Sequence, residues 1–413
     1  IANSALIFSD YEQANKYFGY YDSDELNKKD LNKRLLSYVI ANSFDEAVKI
    51  SKKILNFDNI HQEAWLVYLV DSKIKNLDEP FIEFNIIKKN SSLNLIDYIF
   101  YDNSKVRSNT EIAKSIIEVI DATRMSIDYQ YEQQDFDYLL YYLSLSLVLD
   151  DNLNEAYFFS GQIYEELKNY KKAIMFFNKV DQKSPFFIES RISSINNIFL
   201  DKREKEAEQE FKKLLKMFPD NEIILASFGD YFRKSNKYEE AIFYYSKILS
   251  DLNTSEEKKS RLLYIRGICY EKLDNWNFAE KDFLQSLEIN PESPQVLNYL
   301  AYSWIEKDSY LDKSLEMLKK AHEYDPENHY ILDSLAWAYY KKNNYLKASE
   351  LMEEVISRAP GEAISLDHLG DIYFSMGRQR EALYMWKQAY DLATPEDEII
   401  DSLKIKIVSN DAG

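Results

Sequence analysis

Asn154–Pro185, NEAYFFSGQIYEELKNYKKAIMFFNKVDQKSP, carries the pattern that decides the fold. Tyr157, Gly161, Tyr164, Ala173, Phe177 and Pro185 set a small residue inside an apolar run, an alanine twelve positions later, a ring four further on, and a proline eight beyond that. The pattern returns at a spacing close to 34 residues. Ala207, Phe211 and Pro219 belong to the second copy, and Gly229, Phe232, Ala241 and Tyr245 to the third. After four extra residues come Gly267, Tyr270, Ala279, Phe283 and Pro291. The fifth copy reads Leu297, Leu300, Ala301, Trp304, Leu318, Ala321 and Pro326, with one residue inserted. Leu332, Ala336, Tyr339, Ala348, Met352 and Pro360 make the sixth, and Leu366, Gly370, Tyr373, Ala382, Trp386 and Ala389 the seventh.

Each copy holds two apolar stripes at helical spacing, which predicts two helices. Asn236, Asn343-Asn344 and Gly377 lie between the stripes, and these residue types accept the left-handed conformation that ends a helix. The small residue of the first helix and the alanine of the second allow close approach, and the large ring fills what remains. Proline stops the second helix because it lacks an N–H and clashes with the preceding turn. One hairpin cannot bury its apolar face, so the copies must stack. Gly229→Leu is expected to overpack such a contact.

The pattern resembles the tetratricopeptide repeat family. That resemblance implies an all-α, right-handed superhelical solenoid of antiparallel helix pairs, concave on one side. The array is expected over 154–395, with irregular repeats over 1–153 and a capping helix and tail over 396–413. In the N-terminal third, Tyr11, Ala14 and Phe18 fit the second helix of a partial copy, and Leu35, Tyr38, Ala47 and Ile54 fit a copy at about 28–61. Trp65, Tyr68 and Leu69 open another, but Pro80 and Phe81 fall where its alanine belongs, and beyond Leu93 the period is lost. Thr110–Arg124 reads as an amphipathic helix with Ile112, Ile116, Ile117 and Ile120 on one face, capped by Asn109 or Thr110. Residues 125–135 read as a connection and Phe136–Leu149 as a buried helix. Ile399, Ile400, Leu403 and Ile407 fit a single helix covering the last pair.

Composition agrees with this reading. Eight glycines and eight prolines in 413 residues leave little but helices and short turns. A formal charge of -19 repels phosphate backbones, so nucleic acid is not the expected partner; a basic or neutral protein is. Cys269 is the single cysteine and reads as a buried, inert thiol. The most apolar run, Tyr138–Leu149, is shorter than the roughly 20 residues a membrane span needs. The chain opens at Ile1 without a charged-then-apolar leader and reads as a processed form; a lipid anchor is compatible with a removed leader. Homo-oligomerisation is also open.

No catalytic constellation emerges, and no cofactor or metal site is expected. His322 and His329 flank a repeat boundary with Asp325 between them, but three or four converging ligands are needed for a metal, and surface histidines at helix ends are the expected reading. No Gly-rich phosphate loop, GxSxG or HExxH occurs. An enzyme such as a repeat-fused transferase would need a catalytic domain, and nearly all residues are spent on repeats.

In the tetratricopeptide family, places two, five, nine, twelve and thirteen of the first helix line the concave side. Carried over by register, they put Tyr264, Asn298, Tyr302, Tyr330, Asp333, Trp337, Tyr340, Asp367, Asp371 and Phe374 in a peptide-binding groove. Rings beside carboxylates suit a peptide carrying apolar and basic side chains. Some family members clamp a C-terminal carboxylate with Lys and Asn at these places; here only Asn298 and Lys341 fit that clamp.

Residues 298–392 resemble more closely a proteobacterial group with the same one-residue insertion before Leu311-Asp312-Lys313, then Ile331-Leu332-Asp333-Ser334-Leu335 and Asp367-His368-Leu369-Gly370-Asp371. The group includes lipid-anchored outer-membrane tetratricopeptide proteins that bind and activate carboxy-terminal processing proteases. The resemblance implies a non-catalytic adaptor holding such a protease, its substrates, or both, in the bacterial periplasm at the outer membrane. The alternatives are a self-assembling structural protein of the cell envelope and a cytosolic tetratricopeptide co-factor.

Overall fold

A computed structural model of the chain describes residues 11, 13–14, 28–88, 93–102, 105–125, 133–394 and 398–410. The chain divides into two compact units, Ile1–Ile224 and Leu225–Gly413. The first holds α1 (Lys28–Ile40), α2 (Phe44–Phe57), α3 (Gln62–Ile74), α4 (Glu79–Ile87) and α5 (Asn94–Phe100), then a short antiparallel hairpin of β1 (Tyr101–Asp102) and β2 (Lys105–Val106). It continues with α6 (Asn109–Met125), α7 (Gln133–Leu149), α8 (Asn154–Glu166), α9 (Tyr170–Phe177), α10 (Phe187–Leu200) and α11 (Glu204–Met217). α12 (Glu222–Lys234) begins at the boundary. The second unit contains α13 (Tyr238–Leu249), α14 (Glu256–Lys272), α15 (Trp276–Ile289), α16 (Pro294–Glu306), α17 (Leu311–Tyr324), α18 (His329–Lys341), α19 (Tyr345–Arg358), α20 (Ala363–Ser375), α21 (Gln379–Leu392) and α22 (Ile400–Asn410).

The backbone repeats what the side-chain pattern announced. Asn42, Asn76, Lys168, Lys202, Asn236, Asp274, Asp308, Asn343 and Gly377 all have φ between 50 and 78°. Each ends a first helix in the left-handed conformation, and the next N–H reaches back over the last turn, as Asn344 N does to Tyr339 O at 2.9 Å. Only four of these nine are asparagine, and one is glycine. Before the prolines, Phe218, Asn290, Asp325 and Ala359 have φ from -129 to -140°, the extended backbone that a following proline enforces.

Close approach between paired helices is equally regular. A Cβ on Gly267 would sit 2.6 Å from the Phe283 ring, and one on Gly370 2.4 Å from the Trp386 indole. Gly161 and Gly229 face Phe177 and Tyr245 in the same way. These rings are 0–2% exposed, so each fills the gap its glycine opens. Cys269, on α14, is wholly buried, and burial pushes its thiol up to about 11.

The N-terminal third keeps part of the pattern. Tyr11, Ala14, Leu35, Tyr38, Ala47 and Ile54 are all buried; Phe18 lies outside the described residues, as do 126–132 of the expected connection. Pro80 does not stop α4, because it stands in its first turn, where no N–H is needed. The four isoleucines of α6 are buried, but its cap is Ser108 rather than Asn109 or Thr110. Ser108 N donates to Glu111 Oε2 at 2.7 Å, and Glu111 N donates to Ser108 Oγ at 3.4 Å, a reciprocal capping box. α7 starts at Gln133 and packs on α1, α3 and α8. Tyr141 Oη donates to Glu63 O at 2.6 Å, and Gln62 Nε2 to Tyr142 Oη at 3.4 Å. This long-range return departs from a strictly neighbour-to-neighbour solenoid. At the other end α22 covers the last pair, with Leu403 fully buried on that core.

Candidate functional site: an acidic cleft on the first helices of the second unit

α16, α18 and α20 pack side by side, and with the end of α14 they line a cleft of about 360 Å3. Its wall carries Tyr299, Tyr302 and Ile364 among apolar surfaces, and Glu271, Glu306, Asp333 and Glu362 among charged ones. The only lysine or arginine in the lining is Lys307, whose Nζ lies over the Trp276 ring at 4.9 Å.

Of the ten groove residues expected from register, Asn298, Tyr302, Tyr330 and Asp333 line this cleft. Tyr330 is 58% exposed and its hydroxyl donates to Glu362 Oε1 at 3.3 Å. Burial raises the Tyr302 phenol above its ordinary range, helped by the charges of Glu306 and Asp333. Asp333 is 8% exposed; its Oδ1 lies 2.9 Å from His368 Nδ1, while its buried Oδ2 has no hydrogen-bond partner. Asn298 Oδ1 is likewise buried and without a partner.

The other six are placed differently. Tyr264 packs edge-on against Tyr299 and near Phe283, inside the α14–α16 core. Trp337 is 8% exposed rather than a free groove ring, because two rings close over it: Tyr340 at 4.6 Å and His368 at 4.1 Å, both stacked. Its indole N–H donates to Glu306 Oε1 at 2.7 Å. Tyr340, half-buried, is the outer member of that stack. Asp367 and Asp371 are not open to a partner, because Lys406 of α22 binds both, at 2.6 and 2.7 Å. Asp371 also accepts from the Trp386 indole at 3.0 Å. Burial pulls the Lys406 ammonium down, but the two aspartates outweigh it and hold its pKa above the usual lysine value. Phe374 is 42% exposed beside Trp386.

Register alone missed Glu271, Tyr299, Glu306 and His368. Glu271 takes the Tyr299 hydroxyl at 2.6 Å and the Ser303 hydroxyl at 2.9 Å. His368 lines the cleft, stacked on Trp337 and paired with Asp333. Burial pulls its pKa down, yet Asp333 first, then Asp367 and Asp371, raise it above the ordinary value. Tyr299 and His368 stand two places before Ala301 and Gly370, a step around the helix from the places used for register. His322 and His329 are half-buried, and among the described residues no group of three or more His, Cys, Asp or Glu is placed to hold a metal ion. No described helix is long and apolar enough to cross a membrane.

Residues 155–182 and 330–362 match the tetratricopeptide repeat family. Among solved structures, the chain is similar to a tetratricopeptide repeat protein from Parabacteroides merdae, at 18% identity and a TM-score of 0.48, over 62% of this chain and 98% of that one. It is also similar to a chain of the APC/C hetero-tetramer Cut9–Hcn1, at 15% identity and a TM-score of 0.48, over 98% and 82%. PilF of Pseudomonas aeruginosa matches at 18% identity and a TM-score of 0.43, over 51% and 94%. The two matched segments coincide with the pairs α8–α9 and α18–α19, so the chain carries tetratricopeptide repeats there, in an all-α fold of stacked helix pairs.

Proposed function

We propose that the chain is a non-catalytic scaffold that binds a polypeptide in the cleft of α14, α16, α18 and α20. The observation that carries this reading is the cleft itself: rings and an isoleucine make its apolar walls, its charged lining is mostly acidic, and two buried acceptors in it, Asp333 Oδ2 and Asn298 Oδ1, have no donor. Such a surface favours an extended segment with apolar and basic side chains over nucleic acid or an acidic chain. The narrower reading is an adaptor for a carboxy-terminal processing protease and its substrates, at the outer membrane. It is supported by the resemblance of residues 298–392 and by nothing else.

The test places a photo-crosslinking amino acid at Tyr302 in living cells, with Tyr384, 57% exposed on the second helix α21, as control. A polypeptide adduct formed from position 302 and not from 384 supports the scaffold, and a protease in that adduct supports the adaptor. An adduct of twice the chain's own mass moves the reading to self-assembly. Equal yields at both positions, or none, refute a cleft-bound partner. The codons that precede Ile1 test the compartment: a leader ending in cysteine supports the outer membrane, and an initiator methionine alone refutes it.

A further inference from the structure

We propose that the cleft seats one cationic side chain of the bound peptide, an arginine or lysine, on Asp333 Oδ2 and Asn298 Oδ1. The proposal rests on the peptide-binding reading above and adds what the peptide must carry.

Asp333 has 11% of its side chain exposed and lines the cleft, and one of its carboxylate oxygens has no partner. A buried acceptor, above all a charged one, is costly to leave unpaired. Several donors around it are already committed. The His368 ring lies on the other oxygen of the same carboxylate. The Trp337 indole donates to Glu306, the Tyr330 hydroxyl to Glu362, and the Tyr299 and Ser303 hydroxyls to Glu271. Ser334 Oγ donates back to the Tyr330 carbonyl at 3.0 Å, and Lys307 is held over Trp276. A second acceptor, Asn298 Oδ1, is orphaned on the neighbouring helix α16.

Two acceptors on adjacent helices, one of them charged, call for a ligand with several donors and a positive charge. Guanidinium and ammonium groups meet that need, and their aliphatic stems fit along Tyr302 and Ile364. Glu306 and Glu362 add attraction for a cation, and the cationic groups of the lining are engaged, Lys307 over Trp276 and His368 with Asp333.

The experiment uses the full chain and capped nonapeptides, acetylated and amidated, with flanks randomised over apolar and neutral residues. The central residue is arginine, lysine, citrulline, norleucine or glutamate. Binding is expected to favour arginine or lysine about 10-fold or more over citrulline and norleucine. Asp333→Asn should shrink that preference to within about 3-fold. Asn298→Leu, at a half-buried position, gives the same test without touching the His368 pair. Arginine and lysine arms identify the preferred head group, and an uncapped series tests an N-terminal amine as the source. Citrulline binding as well as arginine refutes the seat and leaves the scaffold standing, with water then filling the acceptors. A cationic preference untouched by both variants also refutes it. Retention of no peptide at all overturns both the seat and the scaffold.

Discussion

Gly267→Ala sets two effects of opposite sign against each other. Alanine in a helix interior is favoured over glycine by about 1 kcal/mol. The added methyl, however, would lie 2.6 Å from Phe283 Cε1 and 2.8 Å from Cδ1. Ordinary carbon contacts are about 3.5–4.0 Å, so the ring must retreat by roughly 1 Å. It has nowhere to go: Phe283 is fully buried, with the Tyr299, Tyr264 and Trp276 rings centred 5.3, 6.1 and 6.4 Å away. Overpacking of this kind costs about 1–3 kcal/mol, so the clash outweighs the propensity gain and the net loss is up to about 2 kcal/mol. Urea unfolding followed by circular dichroism gives the shift, and native-state hydrogen exchange of α14 and α15 places it, since stacked repeats need not unfold as one unit. Gly361→Ala, where nothing lies within 4 Å of the added carbon, is the control and should be near neutral. Gly267→Ala more stable than the parent by about 1 kcal/mol would mean propensity alone acts there, and the close-packing account of the repeat would be wrong.

Trp337→Ala should lower stability by about 3–5 kcal/mol, because it empties a stack between Tyr340 and His368; Phe374→Ala, at an exposed ring, should cost about 0.5 kcal/mol or less, and thermal melts of the two separate core from groove. His368 has a folded pKa above its unfolded value of about 6.5, so its contribution is fully present below that pH and is lost as pH rises through the raised value. The melting-temperature gap between the parent and Asp333→Asn should therefore be wider at pH 6 than at pH 9, with Asp367, Asp371 and Lys406 unchanged nearby; a constant gap removes the charge coupling. Cys269, buried and with its thiol pushed up to about 11, should resist a thiol reagent in the folded chain at pH 8 and react on addition of denaturant. Fast labelling without denaturant contradicts the register of α14.

The repeat was legible because its cause is local and steric. A glycine at 161 or 267 and a ring sixteen residues later can be read as one contact, since both lie on fixed faces of consecutive helices. Some helix ends were less legible. Lys168, Lys202, Asp274 and Asp308 take the left-handed conformation that glycine and asparagine favour, and only the repeat period points to them. The return of α7 onto α1 and α3 was invisible, because a helix apolar all round says that it is buried and not against what. In the cleft, register found Asn298, Tyr302, Tyr330 and Asp333, whose place on α16 and α18 follows from helical geometry. It misjudged Trp337, Asp367 and Asp371, whose partners come from other helices: Glu306 of α16 and His368 of α20 for the indole, Lys406 of α22 for the carboxylates.

That last partnership bears on specificity. Read from sequence, Asp333, Asp367 and Asp371 make one acidic surface, and any basic segment would suit it. In the folded chain Lys406 engages two of the three, holding Asp367 at 2.6 Å and Asp371 at 2.7 Å with 24% of its side chain exposed. The buried carboxylate oxygen left without a partner is on Asp333, one helix away, in a residue that lines the cleft. A diffuse field attracts many partners weakly, whereas one buried acceptor between apolar walls rewards a single cation at a single register. The C-terminal helix therefore does more than cover the last pair: it engages Asp367 and Asp371, and under the proposal above this leaves Asp333 as the buried carboxylate available to a basic group.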